Sequence, residues 1–344
     1  MFAAMRAGIE NWLLRHWYGG GQPPWVLRIL EPLYRLVSQR IQKKGQTGPD
    51  RFRPGLPLIV VGNLTAGGSG KTPLVIRLCE LAIEAGLKPG IASTGYGRKS
   101  HETLVVHADS DTQVCGDEPV LLAQRTVVPV VVAAKRIDAV KKLAEMNLDL
   151  LISDDGLQQA DLDRDIEICV VDGERGLGNG HLLPAGPLRE PAGRLGQVDY
   201  VVTNGEWSGR PDNLETCIMD LRVGVVRSLD DSKEYPLEDF RQYLDGSPVH
   251  AVAAIGNPDR FFRMLDTLGI TAEHQGFPDH HSFTSADFES MRAGSAIIMT
   301  EKDAVKCRSL GLQNAWYVPV VTSLSGGFEQ VLKNHMVKLT GENK

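Results

Sequence analysis

Residues 58–73, Leu-Ile-Val-Val-Gly-Asn-Leu-Thr-Ala-Gly-Gly-Ser-Gly-Lys-Thr-Pro, leave this chain few folds to choose from. Leu58 to Val61 read as a short strand buried on both faces. A glycine-rich loop follows, and Lys71-Thr72 open an apolar-periodic helix through Leu74, Ile76, Leu78, Leu81 and Ala82. Strand, loop and helix in that order form the context of a phosphate-cradling P-loop. Glycines let backbone N–H groups turn toward anionic oxygens, and the helix N-terminus adds the positive end of its dipole. Thr65, Ala66, Gly67, Gly68, Ser69, Gly70, Lys71 and Thr72 are therefore the expected nucleoside-triphosphate site. Lys71 is placed to reach the β/γ-phosphates, and the Thr72 hydroxyl to ligate Mg²⁺. One departure stands out: Thr65 occupies the first glycine position of G-x-x-x-x-G-K-[ST].

Downstream, strand-like runs (Pro89–Ser93, Thr103–Val106, Val127–Ala133, Leu148–Ile152, Ile166–Val171, Tyr200–Val202) alternate with helical ones. That alternation implies an α/β fold, a parallel sheet with helices on both faces and ligands at the strands' carboxyl ends. Leu148 to Ile152 would deliver Asp154 and Asp155 to the same end as the phosphate loop, the arrangement of a Walker B element that holds Mg²⁺. Asp117 and Glu118 open a helix, where an acid serves equally as a cap or as the group orienting a substrate hydroxyl. The segment 182–191, with three prolines, reads as a rigid loop. Within it Arg189 is suited to clamp phosphate and Glu190 to assist the metal, or the two to a surface salt bridge.

A second β–α pattern begins at Ser247, preceded by two short alternating runs (Thr216–Leu221, Gly224–Ser228) that read as a hairpin linker. The expected domains are 1–45, a helical arm; 46–205, the P-loop core; 206–246, the linker; and 247–344, a smaller α/β unit with a C-terminal helix. The 344 residues suffice for two domains. The net charge of -6 conceals an asymmetry: residues 1–53 carry nine Lys/Arg against three acids, so +6 sits there and -12 on the rest. Two amphipathic helical patterns in this arm, with Trp12, Trp17, Tyr18, Trp25 and Tyr34 beside cations, predict an interfacial element on an anionic membrane surface. Pro32 should kink or break the second. Packing of both helices on the core is the competing expectation. Five dispersed cysteines suggest a reducing compartment without disulfides or structural zinc, and neither a spanning helix nor a signal peptide is expected.

The loop Gly62–Pro73, with Thr94-Gly95-Tyr96-Gly97-Arg98, Gly116-Asp117-Glu118-Pro119, Asp154-Asp155-Gly156-Leu157-Gln158, Leu183–Glu190, Phe277-Pro278-Asp279-His280-His281 and Thr300-Glu301-Lys302-Asp303, resembles the tetraacyldisaccharide 4′-kinase (lipid A 4′-kinase) family. These motifs run in order across nearly the whole chain; Leu157 replaces the family's usual aromatic. The resemblance implies a two-domain P-loop kinase on the cytoplasmic face of the bacterial inner membrane. It would pass the γ-phosphoryl group of ATP to the 4′-hydroxyl of the lipid A disaccharide precursor, with Mg²⁺. It also implies that Asp117 and His280 act together on the acceptor hydroxyl alongside Lys71. Metal contacts would come from Thr72, Asp154, Asp155 and Glu190, and substrate contacts from Asn63, Arg98, Gln158 and Arg189. No nucleic-acid or obligate protein partner is expected. The rival reading is a membrane-surface ATPase or GTPase switch. Against it stand Ala66, where such ATPases often carry a second lysine, and the lack of an N-K-x-D guanine signature.

Overall fold

The structure, a computed structural model, describes residues 2–47, 51–244, 246–291 and 294–342. Two helices come first, α1 (Phe2–Tyr18) and α2 (Trp25–Thr47). The first α/β unit follows: β1 (Leu58–Gly62), α3 (Lys71–Glu84), β2 (Pro89–Ser93), β3 (Leu104–Val106), α4 (Thr112–Cys115), α5 (Asp117–Arg125), β4 (Val130–Val132), α6 (Arg136–Ala144), β5 (Leu150–Asp154), β6 (Ile166–Asp172), β7 (Tyr200–Asn204) and β8 (Cys217–Val223). The second contains β9 (Val225–Ser228), β10 (Glu234–Pro236), α7 (Leu237–Tyr243), β11 (Val249–Ala253), α8 (Pro258–Thr267), β12 (Glu273–Gly276), β13 (Ala296–Thr300), α9 (Glu301–Cys307) and β14 (Ala315–Val318). The chain then returns as β15 (Val320–Leu324) and α10 (Phe328–Glu342).

The large sheet has the order β15-β8-β7-β6-β1-β5-β2-β4-β3, parallel except at the edge strands β3 and β15. Helices cover both faces, so β1 is apolar at every position. Ile59 and Val61 join the core under α3, α5 and α10, while Leu58 and Val60 pack on the α6 side. Leu74, Leu78 and Leu81 bury the inner stripe of α3 in the first of these cores; truncating such a leucine to Ala costs about 2–5 kcal/mol. β5 lies beside β1 with Val61 level with Asp154. The phosphate loop and the Asp154-Asp155 turn therefore emerge side by side. The small sheet has the order β10-β9-β14-β13-β11-β12, its last four strands parallel.

Two expectations about the division of the chain are corrected. The runs Thr216–Leu221 and Gly224–Ser228 do not pair as a hairpin: β8 bonds to β7 and β15, and β9 to β10 and β14 in the other sheet. Each run thus covers a strand edge that would otherwise stay unpaired. The smaller unit also ends before residue 344, because β15 and α10 rejoin the large one. Leu332 and Met336 enter its core, and Glu329 grips Arg77 of α3 at 2.7 Å. Two strands, β8 outbound and β15 returning, therefore join the units.

The arm differs from expectation in detail. Pro32 sits inside an uninterrupted α2. Three of the five aromatics turn to the body: Trp17 is buried with its indole N–H on the Pro184 carbonyl at 3.1 Å, Tyr34 donates to the Arg189 carbonyl at 3.1 Å, and Tyr18 lies under Arg175. The side chains of Phe2 and Met5, part of the expected apolar face of α1, lie outside the described residues. The face of α2 meeting the body is the polar one: Glu31, Tyr34, Gln42 and Gly45, spaced three, eight and three apart. Trp25, Ile29, Leu30, Leu33, Leu36, Val37 and Ile41 are left exposed, Trp25 by 72%. Among the described residues no helix is long and apolar enough to cross a membrane.

Candidate active site

Gly70 caps α3 in the left-handed conformation (φ 94°) with no side-chain cap, so the first amides of the helix stay available to an anion. Space forbids a side chain there as well, since a Cβ would come within 2.4 Å of the Asn204 amide. The loop is braced on its flank by the proline-rich segment: Ala66 N–H donates to the Pro187 carbonyl at 2.8 Å and Arg189 N–H to the Leu64 carbonyl at 2.7 Å. Thr65, at the position of the missing glycine, makes an antiparallel bridge with Leu188. Ser69 Oγ is buried without a partner. Lys71 Nζ donates to Asn63 Oδ1 at 3.2 Å and pairs with Asp155 at 3.4 Å.

The two adjacent carboxylates of the β5 turn are not equivalent. Asp155, in a left-handed conformation (φ 52°), also pairs with Arg189 at 3.1 Å. Burial works against its charge, but Lys71 and Arg189 outweigh it and hold the carboxyl well below the usual range. Asp154 is 1% exposed and its Oδ1 has no partner. Burial first, then the Glu118 charge, raises its pKa despite Lys71. A buried, underpaired carboxylate on the strand next to the one that leads into the P-loop fits a hard divalent cation. An all-oxygen site completed by phosphates and water is what Mg²⁺ prefers, and among the described residues no His, Cys, Asp or Glu cage competes with it.

Opposite the phosphate loop, two parts of the chain 163 residues apart meet. Asp117 begins α5 in the large unit; His280 lies in the loop after β12 in the small one, at φ 60°. His280 Nδ1 is 3.1 Å from Asp117 Oδ2 and 3.3 Å from Oδ1. Tyr96 packs its ring 5.0 Å from the imidazole. Burial resists the Asp117 charge, yet the His280 hydrogen bond and Lys302 keep its carboxyl far below the ordinary value. Burial likewise resists a charged His280, but the bond to Asp117 prevails and its pKa rises.

Lys302, quoted above only as part of a motif, completes the cluster. Its ammonium lies 2.8 Å from Glu118, 3.5 Å from Asp279 and from His280 Nε2, and 3.9 Å from Asp117. Burial would discharge it, but the three carboxylates raise its pKa. The available signal was positional: Thr300-Glu301-Lys302-Asp303 follows the carboxyl end of β13, as the P-loop follows β1. Asp303, fully buried, accepts from the Ala254 amide at 3.0 Å and so fixes the loop after β11.

That loop closes on the phosphate loop. A Cβ on Gly256 would fall 2.1 Å from the Gly68 amide nitrogen, so the two backbones approach in a way only glycine permits. Arg175 holds the Gly256 carbonyl at 2.5 Å, and Asn257 reaches Asp172 at 3.3 Å. Between the units lies a cavity of about 890 Å³, lined by Gly68 to Pro73, Glu118, Arg260 and Met264 of α8 and Thr300 to Lys302. Its walls come from both units.

Five expected contacts have other occupations. Glu190 accepts from Gln42 at 2.6 Å and Gln158 at 2.7 Å, with Arg194 at 3.6 Å, so both oxygens are taken and it is not a free metal ligand. Asn63 is fully buried, its amide tying Thr65 and Gly67 carbonyls and its oxygen receiving Lys71 and Arg189. Gln158 bonds the Asn63 carbonyl at 3.0 Å. Both brace the loop through its own backbone carbonyls. Arg189 is engaged by Asp155 and Asn63. Arg98 lies against Cys115, just before Asp117; one guanidinium nitrogen bonds the Glu102 carbonyl at 2.8 Å and another is buried without a partner.

A family model described as tetraacyldisaccharide-1-P 4′-kinase matches residues 23–337. The tetraacyldisaccharide 4′-kinase of Alcanivorax borkumensis is 45% identical over 335 residues, covering 96% of this chain and 99% of its own. That of Hahella chejuensis is 43% identical, covering 97% and 98%. The crystal structure of "apo" form LpxK from Aquifex aeolicus in complex with ATP aligns with a TM-score of 0.74 at 28% identity, over 90% of this chain and 97% of that one.

Proposed function

Since this chain belongs to the tetraacyldisaccharide-1-P 4′-kinase family, we propose that it transfers the γ-phosphoryl group of ATP to the 4′-hydroxyl of the lipid A disaccharide precursor. The observation that carries the reading is the meeting of Asp117 and His280 at 3.1 Å, beside Glu118 and Lys302, which with the P-loop line a cavity both units wall. A nucleotide switch needs the phosphate loop but has no use for a buried carboxylate–imidazole pair supplied by a second unit.

The P-loop amides and Lys71 bind the β/γ-phosphates, a task that frees Lys71 from Asp155. Thr72 and Asp154 would hold Mg²⁺, which when bound supplies charge neutralisation at the triphosphate; Asp155 orients Lys71 and Arg189. Asp117, kept ionised, accepts a hydrogen bond from the acceptor hydroxyl and aims its oxygen at the γ-phosphorus. The Asp117–His280 pair takes the proton as a unit, and Lys302 steadies the negative charge of that corner. Because phosphoryl transfer proceeds through a loose transition state, alignment and charge supply most of the acceleration. Closure of the Gly256 loop on Gly68 brings His280 to Asp117 and excludes water, which limits wasteful hydrolysis.

The acceptor is a lipid, and the exposed apolar stripe of α2, flanked by Arg28, Arg35 and Arg40, supports peripheral docking on the cytoplasmic leaflet of the inner membrane. The polar face of α2 is held against the body, so the stripe points outward. Incubation of the protein with γ-labelled ATP, Mg²⁺ and the disaccharide precursor should move label into the organic phase. Nucleotide hydrolysis with the lipid left unlabelled would refute the reading.

A further inference from the structure

We propose that the groove between α2 and the Gly180-His181 turn is a binding site for the phosphate ester of a lipid headgroup. This depression of about 640 Å³ lies on the edge of α2 between its body-facing side and its exposed apolar stripe. Arg28, Arg35 and Gln39 line it from the helix and His181 from the facing turn.

The carboxylate within reach is already saturated. Glu31 Oε1 accepts from the Leu182 amide at 3.1 Å and Arg35 at 3.3 Å, and Oε2 faces His181 Nδ1 at 2.9 Å. The Arg28 guanidinium has no hydrogen-bond or ion-pair partner among the described residues, the side chain of Arg35 is 53% exposed with most of its donors unused, and His181 Nε2 is unengaged. Donors thus outnumber acceptors around one open space. Guanidinium pairs answer a tetrahedral oxyanion with charge and geometry together.

The surroundings specify what bears the anion. Pro32 and Leu36 form the groove's apolar side, and Leu36 continues into the exposed stripe with Ile29 and Leu33. A phosphate seated on Arg28 and Arg35 would therefore leave attached acyl chains lying along that stripe. A soluble phosphate would gain nothing from it, and no aromatic platform is present for a nucleic-acid base. Two lipids share this chemistry: the acceptor, through its own 1-phosphate, and an anionic phospholipid of the leaflet. The inference rests on the membrane-lipid kinase reading above.

The test compares the full chain with R28A/R35A, H181A and, as a control, K43A/K44A, which removes equal charge from α2 outside the groove. Acceptor kinetics are measured in detergent micelles free of phospholipid, and flotation is measured on phosphatidylcholine vesicles with and without phosphatidylglycerol. If the site holds the acceptor's 1-phosphate, R28A/R35A raises the acceptor KM ~10-fold, with the KM for ATP unmoved and K43A/K44A like wild type. If it holds a phospholipid, micellar kinetics stay constant while R28A/R35A loses the gain in flotation that phosphatidylglycerol confers. Equal effects of the two double variants, or no effect of R28A/R35A in either assay, overturn the site. A wild-type protein that phosphorylates no lipid yet floats on phosphatidylglycerol through Arg28 and Arg35 would refute the kinase reading and leave the groove standing.

Discussion

The two sides of the catalytic cleft are built by opposite means. The phosphate side comes from adjoining strands of one sheet, β1 and β5, and most of its groups lie within fifteen residues of one another along the chain. The acceptor side, Asp117 with His280 and Lys302, is assembled from two units joined by two strands and exists only when they are closed. A P-loop is a local solution that many nucleotide-binding proteins share. Commitment to one acceptor resides in the part that tertiary structure must create, and the division lets closure gate the chemistry.

If the sides are separable in this way, substitutions in each should fail differently. Lys71→Ala removes a phosphate ligand and should depress kcat by ~10³-fold while also raising the KM for ATP. Asp117→Ala should cost ~10²–10⁴-fold in kcat with ATP affinity nearly intact. Nucleotide binding lost equally in both, measured by calorimetry, would erase the distinction. Lys302→Met leaves Glu118, Asp279 and Asp117 without their shared cation. It should destabilise closure and fold together, by about 3–5 kcal/mol in denaturant unfolding, with kcat falling and the KM for ATP changing little. Unchanged stability would mean the carboxylates find another partner.

Gln42→Ala probes whether the arm reaches the phosphate side. It strips one hydrogen bond from buried Glu190, which holds Gln158 behind the P-loop, and should cost about 1–3 kcal/mol. A variant as stable as wild type would make the Gln42 contact incidental. The smallest effect concerns pH. His280 is held above its ordinary pKa by Asp117, so the stability its charge contributes is complete below about pH 6.5 and fades as pH rises through the raised value. The melting difference between wild type and His280→Gln should then be greatest near pH 6 and shrink toward pH 9. A difference that grows with pH would contradict this assignment of charge.

The same contrast explains what could be read from the sequence. β1, α3 and β5 were legible because each is a contiguous pattern whose chemistry depends on neighbours a few residues away, and the parallel sheet followed from their alternation. The return of β15 and α10 was not, since a short strand such as Val320–Leu324 takes its meaning from the β8 edge it happens to cover. Amphipathic periodicity found α2 and left two orientations in competition, interfacial or packed on the core by its apolar face. The contacts of Glu31, Tyr34 and Gln42 turn the polar face inward. Glu190 and Asn63 looked like metal and substrate contacts because their motif sits at the site; only packing shows their polar atoms consumed by Gln42, Gln158, Lys71 and Arg189. The partnership of Asp117 with His280 came from the resemblance, since nothing in either local sequence points to the other.

A double-mutant cycle on kcat for Asp117→Ala and His280→Ala, read at saturating ATP with the lipid acceptor, tests the assembled acceptor side most directly. Residues that act as one unit should lose little more together than the worse of the two alone, a coupling of about 1–3 kcal/mol. Losses that simply multiply would show two independent groups and contradict the account.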